Sequence, residues 1–298
     1  MASVAGGGIQ RVIHQIWLGT NPRPDEWIKT VRDFALNHGY EYKLWDDSTA
    51  ADLEWDAFPG LRGLYEEFSQ RLAGKADLVR LLALYKYGGI YIDADSVVMK
   101  PQKFAEFLEK NEHSMFFAWE ELKRNGRTIE NPGPELRDGR DKRLIANGTI
   151  GARAGHPFLA ELLGGIVAHA EREKDADAWR RVGPLYVTRR YWFLKDAGPP
   201  KADAVTDVHN YPMELFYPLH WHGIKDPEMH KKVQIPGESM LFQYGYSTNG
   251  FADIFRKRAA AATAAGGGRR RRRSRRRGSR RLNTRKLKSV RGGRSRRS

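Results

Sequence analysis

The chain has 298 residues and a formal net charge of +16, a value typical of nucleic-acid-binding proteins. Residues 266–298 hold 17 Lys and Arg and no acidic residue, which leaves the rest of the chain with a net charge of −1. The absence of cysteine excludes disulfides, thiolate metal sites and Cys nucleophiles. No run approaches the roughly 18 to 20 apolar residues of a membrane span, and the first eight residues lack the features of a secretory signal.

The sequence pattern predicts strands that alternate with helices. The predicted elements are a strand at 9–18, a helix at 24–39, a strand at 40–45, a turn at 46–48, helices at 61–70 and 74–87, a strand at 90–92, a helix at 101–110, a strand at 115–119, and helices at 157–173 and 184–194. This alternation predicts an α/β fold with a largely parallel sheet. Ligands of such sheets bind at the carboxyl ends of strands, here at 17–20 and 93–96.

The basic tail is a separate segment of the chain. We expect a flexible segment at 1–8, one globular domain at 9–258, and an Ala-rich linker with a disordered Arg-rich tail at 259–298. The positive charge of 266–298 predicts binding to a polyanion, a nucleic acid or an anionic surface. Nuclear targeting, nucleic-acid attachment, membrane adhesion and packaging into a particle stay open. Tails of this composition resemble those of proteins of large DNA viruses, so we expect a cytoplasmic or virion-associated protein without a transmembrane segment.

Two charged residues interrupt the most apolar predicted helix. Residues 76–85 read ADLVRLLALY, and Asp77 and Arg80 are the only charges in this stretch. Their i,i+3 spacing places them on one face, and burial of either charge is costly unless it is paired or bound to a ligand. Either the two residues pair with each other, or they border a polar ligand.

An Asp-Ala-Asp tripeptide follows the short strand at 90–92. Tyr91 and Asp93 share one face of that strand, and Asp95 joins them if the chain stays extended. Two carboxylates at the carboxyl end of a strand suit Mg²⁺ or Mn²⁺. A second copy of the tripeptide, at 175–177, stands in a highly charged stretch, where we predict a solvated turn or helix end.

Residues 73–96, AGKADLVRLLALYKYGGIYIDADS, resemble the sugar-binding and metal-binding block of glycosyltransferase family 32. This family includes yeast mannosyltransferases, and the glucosylating domains of clostridial toxins carry a related block. Further similar elements follow in family order: HQIWLG at 14–19, NG at 147–148, GHPF at 155–158, GP at 183–184 and FYP at 216–218. The resemblance implies a GT-A fold, which is a Rossmann-like, mixed and mostly parallel sheet flanked by helices. It makes 9–258 a single catalytic domain.

The resemblance also implies the reaction, which is retaining transfer of a hexose from UDP- or GDP-hexose with Mn²⁺ or Mg²⁺. We expect a glycan or a protein as the acceptor, although the sequence does not choose between protein, glycan and lipid acceptors. The implied donor-binding residues are Ile16 and Trp17 for the nucleotide base, Asp77 and Arg80 for sugar hydroxyls, Tyr91 for the pocket wall, Asp93 for the ribose and a metal-bound water, and Asn147 for the sugar or acceptor side. Asp95 would ligate the metal directly.

The predicted catalytic residues are Asp95 and Arg80. The acceptor hydroxyl would attack on the face from which the nucleotide leaves, with the departing phosphate as base and with the metal and Arg80 as electrostatic stabilisers.

The C-terminal part of the resemblance departs from the family pattern. The family commonly has a His followed by Ser-Trp, whereas residues 242–249 here read FQYGYSTN. Gln243, Ser247 and Asn249 are candidate metal ligands there, and Tyr244 or Tyr246 would cap the site. An alternative function follows from this departure and from the tail: a nucleic-acid-associated or particle-associated structural protein with a degenerate transferase domain.

Three histidines are weaker candidates. His220 and His222 are two residues apart, as in some metal sites, but an aromatic acceptor-groove wall is the favoured interpretation. His14 precedes Trp17 in an apolar strand and is interpreted as a hydrogen-bonded core residue.

Overall fold

The computed structural model describes residues 8–120, 123–124, 127–128, 144–219 and 224–261. The strands are β1 (Val12–Ile16), β2 (Glu41–Trp45), β3 (Gly89–Ile92), β4 (Ser96–Val98), β5 (Met115–Glu120), β6 (Lys123–Arg124), β7 (Arg127–Thr128), β8 (Leu144–Ala152), β9 (Val208–Tyr211) and β10 (Leu241–Gln243). The helices are α1 (Asp25–Asn37), α2 (Asp47–Ala51), α3 (Leu61–Glu67), α4 (Leu72–Tyr87), α5 (Pro101–Lys110), α6 (Pro157–Arg172), α7 (Ala178–Arg181), α8 (Pro184–Asp196) and α9 (Tyr246–Asn249).

The main sheet has six strands in the order β2–β1–β3–β8–β5–β9. β1 pairs in parallel with β2 and β3, β5 pairs in parallel with β9, and β8 runs antiparallel to both of its neighbours. The predicted mixed and mostly parallel sheet is therefore confirmed. A second, small sheet pairs β4 with β10 in antiparallel fashion and brings residues 241–243 beside the residues that follow β3.

Helices cover both faces of the main sheet. Phe116 and Phe117 are neighbours in β5, and they belong to two different clusters of buried side chains. The cluster that contains Phe117 includes residues of α4, α6 and α8, whereas the cluster that contains Phe116 includes residues of α1 and α5. This two-faced burial explains why the strands read as continuous apolar runs.

The turn from α4 into β3 depends on two glycines. Gly88 and Gly89 have φ values of 62° and 98°, a region that favours glycine. A Cβ atom on Gly89 would lie 2.3 Å from the carbonyl oxygen of Val12. The glycines thus let β3 lie close against β1, and this placement brings the carboxyl ends of both strands together.

Three of the elements that differ from the sequence predictions are α2, β8 and β9. Residues 46–48 begin a helix instead of a turn, because the Asp46 side chain accepts a hydrogen bond from the Thr49 N–H and caps α2. β8 was not predicted, since Asn147 and Gly148 interrupt its apolar pattern. β9 lies in the Pro-rich stretch at 199–238, where the sequence shows little periodicity.

The described residues up to Asn249 form one compact unit, and a second unit begins at Gly250. In the second unit, residues 251–261 are helical. The predicted domain limits at residues 8 and 258 stay predictions, and most of the Arg-rich tail lies outside the described residues. Within the part of the chain that is described, no helix has the length and apolarity needed to cross a bilayer.

Candidate active site

A cleft of about 290 Å³ lies where β1 and β3 end. Ten of the residues predicted from the sequence line it: Ile16, Trp17, Asp77, Arg80, Tyr91, Asp93, Asp95, Asn147, Tyr246 and Ser247. Gln243 and Asn249, the two other predicted metal ligands, are not in its lining. The structure therefore brings most of the predicted site residues together at the predicted edge of the sheet.

Arg80 is the centre of the polar network in the cleft. Its Nη2 lies 3.3 Å from Asp77 Oδ1 and 3.2 Å from Asp93 Oδ1, while its Nη1 donates to the carbonyl oxygen of Asn147. Its guanidinium lies 4.4 Å from the ring centroid of Tyr91, a cation–π contact. The two interpretations of the Asp77–Arg80 pair therefore both apply: the residues pair with each other, and both border the cleft.

Asp77 is fixed from two sides. Besides Arg80, the Nδ2 of Asn147 donates to its Oδ1 at 2.8 Å. Burial raises the pKa of Asp77 to about 7, and the charge of Arg80 opposes this rise. A carboxyl group held in this way presents a fixed hydrogen-bonding group to the cleft.

Both carboxylate oxygens of Asp93 have hydrogen-bond donors. Oδ1 accepts from the Tyr91 hydroxyl at 2.6 Å, in addition to the ion pair with Arg80, and Oδ2 accepts from Gln243 Nε2 at 2.5 Å. Burial raises the pKa of Asp93, whereas Arg80, Tyr91 and Gln243 lower it. A Cβ on Gly148 would lie 2.8 Å from Oδ2, so only glycine at this position leaves room for the carboxylate.

Asp95 differs from Asp93 because one of its oxygens has no partner. Oδ2 accepts from the Tyr246 N–H at 2.6 Å, whereas Oδ1 is buried without a hydrogen bond among the described residues. Burial, together with the neighbouring Asp93, raises the pKa of Asp95 to about 7. Ala94 and Asp95 form a turn, so the chain does not stay extended after Asp93. An orphaned carboxylate oxygen on a polar cleft fits a hard divalent cation.

The residues after β10 lie across the cleft. Tyr246 contacts Trp17 edge-on, with 4.9 Å between the ring centroids, and its hydroxyl donates to the carbonyl oxygen of Pro22 at 2.6 Å. The exposed Ser247 also lines the cleft. Of the two candidate capping tyrosines, Tyr246 is therefore the one at the site; Tyr244 stacks on Trp27 at 4.1 Å.

A second cavity, of about 160 Å³, adjoins the cleft and shares Asp93 and Asn147 with it. Gln243 lines this cavity, and Asn249 donates from its Nδ2 to the Tyr244 carbonyl oxygen. Sequence reasoning assigned no role to four further lining residues: Glu120, Met213, Tyr217 and Leu219. Glu120 ends β5, so the rule that ligands bind at the carboxyl ends of strands could have indicated it.

The remaining predictions concern residues away from the cleft. His14 is buried, its Nδ1 accepts from the Trp45 indole at 3.1 Å, and its Nε2 lies 2.8 Å from the Gly88 carbonyl oxygen, which confirms a core histidine. Asp175 and Asp177 are exposed, and Asp177 directly precedes α7, as predicted. His220 and His222 lie outside the described residues.

The sequence of this region is similar to a known family of enzymes. Residues 24–114 match the glycosyltransferase sugar-binding region containing the DXD motif. This match confirms the resemblance to glycosyltransferase family 32. The matched region covers α4, β3 and the Asp93–Asp95 turn, and thus most of the polar side chains of the cleft.

Individual proteins show the same similarity. The chain is 36% identical over 88 residues to inositol phosphoceramide mannosyltransferase 3 of Schizosaccharomyces pombe, which corresponds to 29% of this chain and 24% of the yeast protein. It is 30% identical over 154 residues to an uncharacterized glycosyltransferase of Acanthamoeba polyphaga mimivirus, or 51% of this chain and 53% of that protein. The chain thus spans between a quarter and about half of these relatives.

Among solved structures, the PaToxG glycosyltransferase is similar with a TM-score of 0.45 and 17% identity, over 66% of this chain and 74% of that one.

Proposed function

We propose that the chain is a metal-dependent, retaining glycosyltransferase that moves a hexose from UDP- or GDP-hexose to an acceptor hydroxyl. The observation that carries the proposal is the buried, unpartnered Oδ1 of Asp95 in a cleft with the Asp77–Arg80–Asp93 network. This combination offers one oxygen for a cation and a set of fixed polar groups for a sugar.

The cleft has an aromatic part and a polar part. Trp17 stacks on the nucleotide base, and Ile16 lies beside it. The Tyr246 ring packs edge-on against the indole of Trp17. At the other part, Asp77 and Arg80 hold hydroxyls of the donor hexose. Because each of these two side chains is already fixed by protein contacts, little conformational entropy is lost when the donor binds.

Asp95 would hold the cation, Mn²⁺ or Mg²⁺, and Asp93 would contribute through the ribose or a water on the cation. Of the candidates after β10, Ser247 suits a further ligand best, because its side chain lines the cleft. Gln243 and Asn249 direct their amide Nε2 and Nδ2 to Asp93 and to the Tyr244 carbonyl instead. When bound, the cation would neutralise negative charge on the donor diphosphate.

In the transfer step, the acceptor oxygen forms a bond to the anomeric carbon while the bond from that carbon to the phosphate oxygen breaks. The bonding electron pair leaves with the nucleoside diphosphate, and the hydroxyl proton passes to the departing phosphate. Arg80 supplies fixed positive charge beside the reacting sugar. Retention of configuration rests on the resemblance to family 32.

The test is release of nucleotide from UDP- and GDP-hexoses by the full-length chain, with Mn²⁺, with Mg²⁺ and with EDTA. The names of the yeast relatives make a mannosyl donor the first to assay. We expect turnover with Mn²⁺, loss of turnover with EDTA, and an α-configured product by NMR from an α-configured donor. No turnover of any donor, with binding to nucleic acid intact, favours the structural-protein alternative.

Polyanion binding by residues 266–298, and a cytoplasmic or virion-associated location, remain proposals of the same kind. Their support is the charge of the tail. The acceptor, a glycan or a protein, is also a proposal.

A further inference from the structure

The segment that joins β1 to α1 begins and ends with a tryptophan, and only the first of them has a role in the proposed function. Trp17 lines the donor cleft, whereas Trp27 stands in the first turn of α1 and is not in the described lining of the cleft. Trp27 is 2% exposed, and its indole N–H donates to the carbonyl oxygen of Pro227 at 3.1 Å. The protein therefore fixes this side chain outside the cleft.

Trp27 packs against the residues that follow β10. Its ring lies parallel to that of Tyr244, with 4.1 Å between the centroids and 4° between the planes. Tyr246 stands edge-on to both tryptophans, at 86° to Trp27 and at 89° to Trp17. The turn at 244–246 thus contacts Trp27 through two of its side chains and contacts the cleft tryptophan through one.

The backbone of the same turn holds Asp95. The Tyr244 N–H donates to the Asp95 carbonyl oxygen at 3.0 Å, and the Tyr246 N–H donates to Asp95 Oδ2 at 2.6 Å. Two N–H groups of one turn therefore set the position of the carboxylate that would hold the cation. Any contact that fixes Tyr244 in place also fixes this carboxylate.

The Tyr244 hydroxyl is held by the segment that also holds Trp27. It accepts a hydrogen bond from the His230 N–H at 3.3 Å and contacts Nδ1 of the same histidine. Burial raises the pKa of the Tyr244 phenol and lowers the pKa of His230, so the phenol keeps its proton and the neutral imidazole can accept it. Residues 227–230 thus bind both members of the stack, Trp27 through the Pro227 carbonyl and Tyr244 through His230.

We propose that Trp27 is a positioning residue of the donor site: by stacking on Tyr244, it holds the turn at 244–246 against Asp95 and Trp17. The inference rests on the proposed function, since Trp27 would act on the cation and on the nucleotide base without contact with either. Residues that touch a ligand keep their geometry only when packed neighbours hold them in place. A buried aromatic stack is such a support.

The test compares Trp27→Leu with Trp55→Leu in the full-length chain. Trp55 is a close match, because it is buried, stacks on Tyr65 at 4.0 Å and donates from its indole to the Ala50 carbonyl oxygen, but it is in the described lining of neither cavity. Trp27→Phe keeps an aromatic ring and should reverse most of the effect. Tyr244→Leu removes the same stack from the other side, so the proposal stays testable if Trp27→Leu does not fold.

Hydrogen exchange followed by mass spectrometry is the first readout, and it requires neither donor nor metal. The amides of Tyr244 and Tyr246 are bonded to Asp95, so they exchange when the turn opens. We expect Trp27→Leu to speed exchange in the peptide that covers this turn about tenfold, the scale of one lost aromatic pair, while the amides of β3 keep their rate. Trp55→Leu should leave both rates within about twofold.

Mn²⁺ affinity and donor kinetics are the second readout. The affinity is measured from the electron paramagnetic resonance of free Mn²⁺, without donor. Trp27→Leu should weaken Mn²⁺ binding and raise the KM for the donor, each about tenfold, because groups that orient metal ligands contribute on this scale. A merely structural role would lower the amount of folded protein, and with it the maximal rate, but would leave the Mn²⁺ affinity and the KM unchanged.

The outcomes separate this proposal from the proposed function. Unchanged exchange in Trp27→Leu and Tyr244→Leu, or equal effects of Trp27→Leu and Trp55→Leu, overturns the positioning role and leaves the transferase standing. Faster exchange with an unchanged Mn²⁺ affinity and KM overturns the positioning role as well, since the turn would then not control the site. Faster exchange and weaker Mn²⁺ binding, in a chain that turns over no donor, overturns the transferase and leaves Trp27 as the support of a metal site.

Discussion

The chain contains the tripeptide Asp-Ala-Asp twice, and the two copies have different surroundings. Asp93 and Asp95 follow β3 and line a cleft, with Arg80 and Gln243 bound to the first carboxylate and a backbone N–H bound to the second. Asp175 and Asp177 are exposed at the start of the short helix α7. The tripeptide by itself therefore does not make a site, and the groups that surround it do.

The two copies differ in which groups form hydrogen bonds with their carboxylate oxygens. In water, each oxygen of Asp175 and Asp177 is solvated at no cost. In the cleft, both oxygens of Asp93 accept hydrogen bonds from protein donors, whereas Oδ1 of Asp95 is buried without a hydrogen bond among the described residues. Four predictions test this comparison, from the largest expected effect to the smallest.

The first prediction removes the unpartnered oxygen. Asp95→Asn should lower the turnover number for donor hydrolysis in Mn²⁺ by about 10²- to 10³-fold, the range seen when one electrostatic group of an active site is lost. Asp177→Asn makes the same chemical change in the second copy and should alter turnover by less than twofold. Equal effects of the two substitutions would show that the surroundings do not matter.

The second prediction removes the guanidinium of Arg80, which forms ion pairs with both Asp77 and Asp93. Arg80→Met should lower the free energy of unfolding by about 3–5 kcal/mol, because two buried carboxylates lose their partner. Arg62→Met breaks an exposed pair with Asp56 and should leave the denaturation midpoint nearly unchanged. Chemical denaturation of both variants measures the difference, and a stable Arg80→Met protein would contradict a central role for Arg80.

The third prediction concerns the tryptophan near each copy. Trp17 lines the cleft, whereas Trp179, two residues after Asp177, is 42% exposed. Trp17→Ala should raise the KM for the donor about tenfold, since stacking of a base on an aromatic ring is worth about 1–3 kcal/mol. Trp179→Ala serves as the control and should leave the KM unchanged, and Trp17→Phe should restore most of the affinity.

The fourth prediction uses pH without divalent cation. The pKa of Asp95 is raised to about 7, so the folded protein keeps a proton that the unfolded chain releases near pH 4. The resulting stability is fully present below about pH 4, decreases as the pH rises from 4 towards 7, and is lost above 7. The thermal midpoint of the unaltered chain should therefore fall more between pH 5 and 8 than that of Asp95→Asn, by several degrees at about 2–4 °C per kcal/mol.

Mn²⁺ provides the complementary measurement to the pH series. Because a cation binds the ionised carboxylate, Mn²⁺ should raise the midpoint of the unaltered chain more at pH 8 than at pH 5. Asp175→Asn should behave like the unaltered chain throughout. A pH dependence of Asp95→Asn that equals that of the unaltered chain would assign the proton to another group.

The sequence predicted the part of the site that is local in the chain. Asp77, Arg80, Tyr91, Asp93 and Asp95 lie within 19 residues, on a helix and a strand joined by two glycines. Periodicity placed Asp77 with Arg80 and Tyr91 with Asp93, and the resemblance to family 32 assigned all five to one site. The course of the chain at Asp95 was less certain, since a turn after a strand depends on contacts with β10 that are distant in sequence.

The second cavity could not be predicted for the same reason. Glu120, Tyr217 and Gln243 come from three separate segments, and they line the second cavity together with Asn147 and Gly148 of β8. Asn147 and Gly148 are poor strand residues in isolation, and their place in β8 follows from the neighbours on both sides. Tertiary pairing thus overrides the local preference at the point where the two cavities meet.

The contact between Tyr246 and Asp95 has a consequence for how this sequence can vary. The group that binds the Asp95 carboxylate is the backbone N–H of Tyr246, and every amino acid except proline supplies such a group. The side chain at 246 can therefore be changed without loss of the hydrogen bond that anchors the carboxylate. Variants with each amino acid at position 246 should consequently differ in donor preference. Only the proline variant should lose the backbone hydrogen bond to Asp95.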